Sequence, residues 1–505
     1  MFVTSLPSAA AILLAITTTS ATASANTSSK SRADAVKATF HHAWDGYYEF
    51  AFPHDQLQPL DNTYNDNYDG WAASAIDALS TAIVMGHEDI VNVIVDYIPT
   101  IHFSQTPTDG TISLFETTIR YLGGLLAGYD LLNGPAAQLI NHDKNKTDAI
   151  LAQATSLANS LSYSFSSSSG IPHNNLFLNN QSWDTSTTNG LATVGTLVLE
   201  WTRLSDLTGN QTYANLSQKA ESYLLSPQPS WAEPFPGLVG TNIDIESGEF
   251  QDNDVTWNGG DDSFYEYLLK FYIYSPSRFA DYRDRWEAAA HSTMENLTSH
   301  PPLRPELTFV RNYNNGTWDN SSEHLTGFIG GNFLLGGSVL NRTDLIEYGL
   351  NLTAAWHHTY ASTASHIGPD SFSWNDTAVP DDQQAFYNET GLFSTNGNYI
   401  LRPEVIESYY YAWRITGDEM YRDWVWDAYV AINKTTLAGS GNAELSDVND
   451  PDGGGFLNNQ DSFFFAEVLK YCYLTFADDA DYQVKANGAN KFVFNTEAHP
   501  FLIQG

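Results

Sequence analysis

Four stretches of this chain combine helical spacing of apolar side chains with many Phe and Tyr residues, and this pattern restricts the fold more than any other feature. They are FETTIRYLGGLLAGY from Phe115, DSFYEYLLKFYIY from Asp262, RPEVIESYYYAWRITG from Arg402 and DSFFFAEVLKYCYLTF from Asp461. In each stretch an acidic residue stands at or near the first turn. The pattern predicts helices whose acidic starts and aromatic faces meet in one cavity.

Signals at the helix ends support this interpretation. Ser263 and Glu266 have capping-box spacing, Pro403 suits the first helical position, and Gly417 would stop the third helix. A carboxylate at a helix start lies at the positive end of the helix dipole, which favours its ionised form. For any single stretch, an ordinary capping role for the acid is an equally good explanation.

Carboxylates and aromatic rings in one cavity point to hydrolysis of a glycosidic bond. Such hydrolysis needs an acid, a base and flat surfaces for sugar rings. The 13 Trp, 28 Tyr and 27 Phe exceed what a core alone usually requires, although core packing explains most of them. The pattern therefore favours a glycosidase.

The charge balance excludes other classes of partner. Fifty-nine acidic residues against 22 basic ones give a net charge of −37, which argues against nucleic acid and anionic membranes. A neutral or cationic ligand fits better. The same balance suits mildly acidic surroundings, where partial protonation relieves self-repulsion.

The N-terminus predicts entry into the secretory pathway. An apolar stretch leads to Ala23-Ser24-Ala25, so residues 1–25 are expected to be a signal peptide, although no Lys or Arg precedes Lys30. Residues 26–34 are expected to be flexible and 35–505 to form a single domain. Glycosylation sequons occur at Asn26, Asn145, Asn180, Asn210, Asn215, Asn296, Asn315, Asn320, Asn341, Asn351, Asn375, Asn388 and Asn433. We expect a monomeric glycoprotein that is secreted or luminal, with no membrane attachment in its mature form.

Helical patterns recur along the whole domain. They are expected to begin near Ala35, Ala72, Phe115, Asp148, Gly190, Gln211, Asp262, Ser277, Leu340, Arg402, Met420 and Asp461. Aromatic helices alternate with more polar ones, which suggests helix pairs arranged in a ring. Residues 491–495 look extended and 496–500 look like a turn, and this segment should dock in the middle of the ring. Cys472, the single cysteine, is expected to be a buried core residue.

Five ordered motifs resemble a known family. FETTIRYLGGLLAGY, GDDSFYEYLLK, LRPEVIESYYYAWRITGD, DSFFFAEVLKY and FNTEAHPF are similar to signature segments of the class I α-1,2-mannosidases, glycoside hydrolase family 47, and the likeness runs from about Trp44 to the C-terminus. The resemblance implies an all-α fold, an (α/α)7 barrel plugged by a C-terminal β-hairpin. It also implies Ca²⁺ and inverting release of terminal α-1,2-linked mannose from high-mannose oligosaccharides or glycoproteins.

The resemblance also implies roles for individual carboxylates. Glu116 matches the proposed general acid, Asp262 a second essential carboxylate and Glu404 the proposed general base. Which carboxylate is acid and which is base stays open. Inversion would separate acid and base carboxyls by roughly 6.5–9.5 Å, and a water could relay the acid's proton.

Further residues match the metal and sugar sites. Thr496 resembles the only direct protein ligand of calcium, through its carbonyl and hydroxyl oxygens, with outer carboxylates holding the metal's waters. These outer positions are Asp77, Glu407, Glu467 and Glu497, and the sugar-pocket positions are Arg120, His324, Arg402, Phe463 and Glu467. The arginines could equally form salt bridges to nearby carboxylates, and His324 could be a core histidine.

The chain departs from the family pattern at three places. Ser80 replaces an acid, Gly327 replaces a cysteine that is usually bridged, and Gly260 stands where narrowly specific members carry Arg. Gly260 suggests a roomier site that trims several linkages. Two rivals stay open: a mannose-binding, lectin-like relative with little hydrolysis, and an inverting glycosidase with another substrate. The presence of the three proposed catalytic carboxylates together with Thr496 favours the mannosidase.

Overall fold

The computed structural model describes residues 10–108 and 110–505, with side chains described from residue 28 onward except at 109. Residues 1–9 of the predicted signal peptide lie outside the described residues. Cleavage after Ala25 and the domain boundaries therefore stay predictions. Across the described chain, no helix is both long enough and apolar enough to cross a membrane.

Helices dominate the described chain, which confirms the all-α class. The α-helices are α1 Ala10–Phe50, α2 Ala73–Met85, α3 Glu88–Tyr97, α4 Leu114–Glu116, α5 Gly123–Leu132, α6 Lys144–Leu161, α7 Leu191–Gly195, α8 Val198–Thr208, α9 Thr212–Leu225, α10 Asp262–Tyr274, α11 Ala280–Ser292, α12 Ile329–Leu340, α13 Thr343–Ser362, α14 Gln384–Thr390, α15 Glu404–Thr416, α16 Glu419–Thr436 and α17 Leu469–Phe476. Wider π-helical turns at Thr117–Leu122 and Phe464–Val468 lead into α5 and α17.

The long helices differ in how many of their faces are buried. Helices α2, α5, α10 and α12 are buried over most of their length. Others bury one stripe, as in α6, where the buried residues recur every three or four positions. Each buried helix packs against a neighbour of the second kind, and α17 packs against α1. The predicted alternation of aromatic and polar helices is thereby observed as helix pairs.

The buried helices also contact one another in chain order. Within residues 10–108 and 110–505, seven of them form a closed cycle of contacts, in the order α2, α5, α8, α10, α12, α15, α17 and back to α2. All four acid-headed stretches run into helices of this cycle, namely α5, α10, α15 and α17. The cycle therefore brings distant carboxylates to one place.

Short antiparallel strands connect the helices. They are β1 Gln56–Gln58, β2 Thr63–Asn65, β3 Ile112–Ser113, β4 Asn175–Phe177, β5 Ser182–Trp183, β6 Thr188–Gly190, β7 Asn242–Asp244, β8 Thr298–Ser299, β9 Phe309–Val310, β10 Asn312–Asn314, β11 Thr317–Asp319, β12 Ser321–Glu323, β13 Ser371–Ser373, β14 Phe393–Asn396, β15 Leu437–Ala438, β16 Gly441–Asn442, β17 Glu444–Leu445, β18 Phe456–Leu457, β19 Phe492–Phe494 and β20 Pro500–Leu502. They pair in small sheets, of which β3-β4-β5 and β12-β13-β14 have three strands.

The C-terminal hairpin follows the predicted extended segment and turn. Strands β19 and β20 pair in the register Phe492↔Leu502, Val493↔Phe501 and Phe494↔Pro500, and they pack on α10 and α5. Two buried lysines hold the turn: Lys270 Nζ donates to the carbonyl of Asn495 at 3.1 Å, and Lys470 Nζ donates to that of Ala498 at 2.5 Å. The turn is thus fixed from two different helices.

Several predicted boundaries were wrong. The helix expected from Ala35 includes earlier residues, because Ala33 is buried and the Arg32 guanidinium lies 5.1 Å from the Trp426 ring. The helix expected near Leu340 begins at Thr343 as α13, whereas α12, which ends at Leu340, was not predicted, because its four glycines obscure the helical pattern. These glycines allow close packing, since a Cβ on Gly336 would lie 2.0 Å from Trp286. Helices α3 and α14 were also missed.

The predicted capping box at α10 is also wrong. Ser263 Oγ donates to Asp262 Oδ1 at 3.2 Å and accepts from Thr196 Oγ1 at 2.7 Å, instead of capping the helix. Glu266 forms an ion pair with Lys270 one turn later. Pro403 was expected at the first helical position of α15 and is instead its N-cap, so that the helix begins one residue later at Glu404. Gly417 ends this helix as expected, in the left-handed region at φ 70°.

Surface and core positions agree with the sequence analysis. Each sequon asparagine from Asn145 to Asn433 is at least partly exposed. Cys472 is buried, and burial raises the pKa of its thiol. The cysteine is therefore a core residue and not an accessible nucleophile.

We predict that the hairpin anchors through Phe501. This side chain is fully buried, so Phe501→Ala should lower the free energy of unfolding by about 3–5 kcal/mol. Leu502→Ala is the matched control, because its side chain is 39% exposed and its loss should cost less than about 1 kcal/mol. Denaturant unfolding followed by tryptophan fluorescence measures both. Equal losses would contradict this account of the hairpin.

Candidate active site

One cavity of about 370 Å³ collects most of the residues singled out by sequence. Its lining includes Glu116, Arg120, Asp262, Arg402, Glu404, Glu407, Phe463, Glu467, Thr496 and Glu497. Two predicted residues, Asp77 and His324, do not line it; both are fully buried behind lining residues. The fold therefore assembles helix starts from α4, α10 and α15 with the hairpin turn.

Glu116 is positioned by a helix cap. The backbone N–H of Glu116 donates to Ser113 Oγ at 3.2 Å, and that of Phe115 donates to Asn174 Oδ1 at 3.0 Å. The Glu116 side chain is 34% exposed and accepts from Arg120 Nε at 3.0 Å. Its carboxylate is thus the more accessible of the proposed catalytic groups.

Arg120 links this helix start to the hairpin. Its Nη1 donates to Glu497 Oε2 at 3.0 Å and lies 3.7 Å from Asp77 Oδ2. Its guanidinium also lies 4.3 Å from the Tyr68 ring centre and 5.5 Å from that of Phe463. The salt-bridge interpretation of this arginine is therefore correct, and it holds a Phe463 ring that faces the cavity.

Asp262 is a carboxyl poised to titrate near neutrality. Burial raises its pKa to about 7, aided by the negative charges of Glu266 and Glu404 and opposed by hydrogen bonds from Ser263. The backbone N–H of Ser263 donates to Asp262 Oδ1 at 2.6 Å. Asp262 can therefore hold a proton under conditions where an ordinary aspartate cannot.

Glu404 has the opposite electrostatics. Burial alone would raise its pKa, but the hydrogen bond and charge of His324 and the charge of Arg402 hold the pKa below its usual value. His324 Nδ1 lies 2.6 Å from Glu404 Oε2, and its Nε2 lies 2.8 Å from the Tyr360 hydroxyl. A Tyr360–His324–Glu404 chain thus keeps an ionised carboxylate at the cavity wall, as a base requires.

Arg402 sits beside this carboxylate. Its Nε donates to Asp370 Oδ1 at 2.9 Å, and its Nη1 lies 3.9 Å from Glu404 Oε1. The salt-bridge interpretation of Arg402 is therefore confirmed. Arg402 also lines the cavity, and its contact with a substrate stays a prediction.

The floor of the cavity concentrates carboxylates around the hairpin turn. Burial raises the pKa of Glu407 to about 8, opposed by the charge of Lys270. Burial and neighbouring carboxylates hold the pKa values of Glu467 and Glu497 well above the usual range. Thr496 stands among them, partly exposed, and its N–H donates to the Tyr267 oxygen at 3.3 Å. Hard oxygen atoms are therefore plentiful here, and the cations that contact the turn are Arg120, Lys270 and Lys470.

Asp77 and His499 form a buried pair behind the floor. Asp77 Oδ1 lies 3.3 Å from His499 Nε2, and Ser80 Oγ lies 3.0 Å from His499 Nδ1. Burial lowers the pKa of His499 to about 4, so the ring is neutral and a Ser80 hydroxyl can donate to one nitrogen while the other donates to Asp77. Serine at position 80 thus has a hydrogen-bonding role of its own.

Sequence reasoning missed some cavity residues. Glu266 lines the cavity, although it was interpreted as a cap; its position one turn after Asp262 places both acids on one helix face. Asp461 and Tyr68 also line the cavity. Asp461 heads the fourth acidic stretch, so the original pattern contained it, whereas nothing in the local sequence distinguishes Tyr68.

Comparisons with known proteins agree with this arrangement. Residues 39–503 match the family model of Glycosyl hydrolase family 47. The chain is 58% identical over 480 residues to mannosyl-oligosaccharide alpha-1,2-mannosidase 1B of Aspergillus phoenicis, covering 95% of this chain and 93% of that relative. It is 56% identical over 476 residues to mannosyl-oligosaccharide alpha-1,2-mannosidase of Penicillium citrinum, covering 94% and 93%. The solved alpha-1,2-mannosidase from Trichoderma reesei superposes with a TM-score of 0.92 at 49% identity, covering 94% and 99%.

We predict that His324 sets the pKa of Glu404. In His324→Ala the buried carboxylate loses its hydrogen-bond partner, its pKa rises, and the acidic limb of the pH–turnover profile moves to higher pH by about one unit. Tyr360→Phe keeps the contact between His324 and Glu404, so it should move the limb less. An acidic limb that stays in place in His324→Ala would contradict the assignment.

Proposed function

The chain belongs to glycosyl hydrolase family 47, and on this premise we propose that it is a calcium-dependent, inverting exo-α-1,2-mannosidase. Its substrates would be terminal α-1,2-linked mannose residues of high-mannose N-glycans. The observation that carries the proposal is one cavity whose lining combines Glu404, a carboxylate with a lowered pKa, with Glu116 and Asp262. A protein that only binds sugar needs no such division of carboxylates.

The proposed chemistry follows from these carboxylates. Glu404 takes a proton from a water molecule, whose oxygen attacks the anomeric carbon as the glycosidic bond breaks. Glu116 gives a proton to the departing oxygen, directly or through a water. Asp262, with a pKa of about 7, is a second group able to hold that proton. The Phe463 ring, held by Arg120, offers a flat apolar surface to the sugar.

The donor set at the floor fits calcium. Thr496 offers a hydroxyl and a carbonyl oxygen, while Glu407, Glu467 and Glu497 are placed to hold the waters of a hydrated cation. Within the described part of the chain, no three His, Cys, Asp or Glu side chains converge as a chelating cluster, which agrees with binding mainly through water. When bound, calcium would supply positive charge and coordinate sugar hydroxyls. Asp77 lies beside Arg120, and through this contact it would help to hold Glu497 in place near the cation.

We extend the proposal to the architecture. The closed cycle of seven buried helices within residues 10–108 and 110–505, each with a partner helix, supports an (α/α)7 barrel. The contacts of the hairpin with α5 and α10 support its placement as a plug in the barrel. This arrangement would explain why Thr496 lies at the bottom of the cavity.

We also propose a secretory-pathway location and a glycan or glycoprotein partner. The exposed sequons and the relatives named as mannosyl-oligosaccharide mannosidases support this. The strongly acidic composition gives no support for nucleic acid binding.

Replacement of Glu404 provides the main test. With a nine-mannose glycan, Glu404→Gln should lower turnover by roughly 10²–10⁴-fold, because the base is lost, while glycan binding persists. Glu221→Gln is the control, since Glu221 is buried on α9 and does not line the cavity. Mannose release by Glu404→Gln at the wild-type rate would refute the role of base. Binding without release by the wild type would favour the lectin-like rival.

Calcium dependence has its own measurement. Mannose release by the wild type should be lost when a calcium chelator is added and should return with added Ca²⁺, because removal of the ion would leave the proposed site at Thr496 without its cation. Release that is insensitive to the chelator would contradict the calcium role.

Substitution of Gly260 tests whether the site is open enough to trim several α-1,2 linkages. Gly260 lines the cavity, and Gly260→Arg should slow trimming of some branches of the nine-mannose glycan relative to others. Gly260→Ala is the control, because it carries the same backbone strain at φ 111° while its Cβ meets only Thr241 at 3.7 Å. Chromatography of the trimmed glycans separates the outcomes. An unchanged order of products in Gly260→Arg would contradict the idea that Gly260 keeps the site open.

A further inference from the structure

An exposed aromatic ring, which does not line the cavity, stands beside the turn of a tight hairpin. In the β4–β5 hairpin, Phe177 pairs directly with Ser182, and its side chain is 37% exposed. The four residues between them form a short 3-10 turn that closes at Gln181, which has φ 53°. No ring-stacking partner of Phe177 occurs among the described side chains.

The same turn contains a glycosylation sequon, Asn180-Gln181-Ser182. Cross-strand partners project to the same side of a hairpin, so Phe177 and Ser182 share one side. Ser182 Oγ donates to Asn180 Oδ1 at 2.6 Å, which draws the asparagine side chain to that side. Because Asn180 is exposed and its Oδ1 is the atom engaged, its Nδ2 is available to a substituent beside the phenyl ring.

The neighbouring exposed ring lacks this arrangement. Trp183 follows Ser182 and therefore projects to the opposite side, where it stacks on His173 with ring centres 4.1 Å apart. Asn145 provides a second contrast, because it is an exposed sequon in the first turn of α6 with no Phe, Tyr or Trp among the three preceding residues. The β4–β5 turn thus combines an exposed, unstacked ring with a sequon on the same side of one hairpin.

We propose that Asn180 carries an N-linked oligosaccharide whose first N-acetylglucosamine packs its apolar face on Phe177. In the modification, Asn180 Nδ2 bonds to the anomeric carbon of that sugar while the bond from this carbon to a lipid-linked diphosphate breaks. The amide loses one proton, the lipid diphosphate departs, and no oxidation or reduction occurs. Covering the ring removes exposed apolar surface from water and stabilises the hairpin. This proposal does not depend on the catalytic one.

The test begins with occupancy in the full chain secreted from a eukaryotic host. Enzymatic release of N-glycans in heavy-oxygen water converts an occupied Asn180 to an aspartate that carries the heavy isotope, which peptide mass spectrometry detects. A labelled aspartate in place of Asn180 is the expected result. An unlabelled Asn180 would overturn the proposal.

The packing contact is tested by a double-mutant cycle. Asn180→Gln and Phe177→Ala should each lower the unfolding temperature, and the double variant should lose no more than the larger single loss, because both remove one contact. An endoglycosidase that leaves one N-acetylglucosamine should preserve the wild-type unfolding temperature. Asn145→Gln is the control and should change it little. Additive losses, or a loss after trimming to one sugar, would overturn the contact with Phe177.

Discussion

The structure depends on ion pairs and hydrogen bonds from a few buried cations, which allow this strongly acidic protein to bury many carboxylates in one cavity. Arg120 is central to this, because it contacts Glu116 on one side and Glu497 on the other. Buried lysines act similarly on the hairpin, through the carbonyls of Asn495 and Ala498. These contacts join distant parts of the chain, so the same few cations that make carboxylate burial possible also position the hairpin turn in the cavity.

The carboxylates of the cavity differ in pKa because they differ in the cations and hydrogen-bond donors that surround them. Glu404 has His324 and Arg402 beside it and keeps a low pKa. Among the described side chains, Asp262 has no cationic partner of this kind, and burial raises its pKa to about 7. On the floor, Glu407 reaches about 8 despite the charge of Lys270. Pairs of carboxyls with separated pKa values are the usual basis of acid and base assignments in glycosidases. A hydrated cation bound at the floor would also balance the negative charge of the carboxylates there.

Much of this could be predicted from sequence, because long aromatic stretches with helical spacing are strong local signals. The helix starts at Asp262 and Glu404 and the turn at Thr496 follow from such signals. The partners of these residues could not be predicted in the same way. Tyr360 reaches Glu404 through His324 only in the folded chain, and Ser263 contacts Thr196 instead of capping its helix. Helix α12 was not predicted, because its glycines, which permit close packing, weaken the local pattern. Local spacing therefore predicts elements, whereas long-range contacts decide what each polar side chain does.

The central claim is that ionised Glu404 activates water on the face of the sugar opposite the departing group. Proton nuclear magnetic resonance of the wild-type reaction, recorded before the released mannose mutarotates, tests it most directly. Inversion of an α-linkage predicts that β-mannose accumulates first and that the α-anomer follows at the rate of mutarotation. First release of α-mannose would indicate a covalent intermediate with retention and would contradict the account.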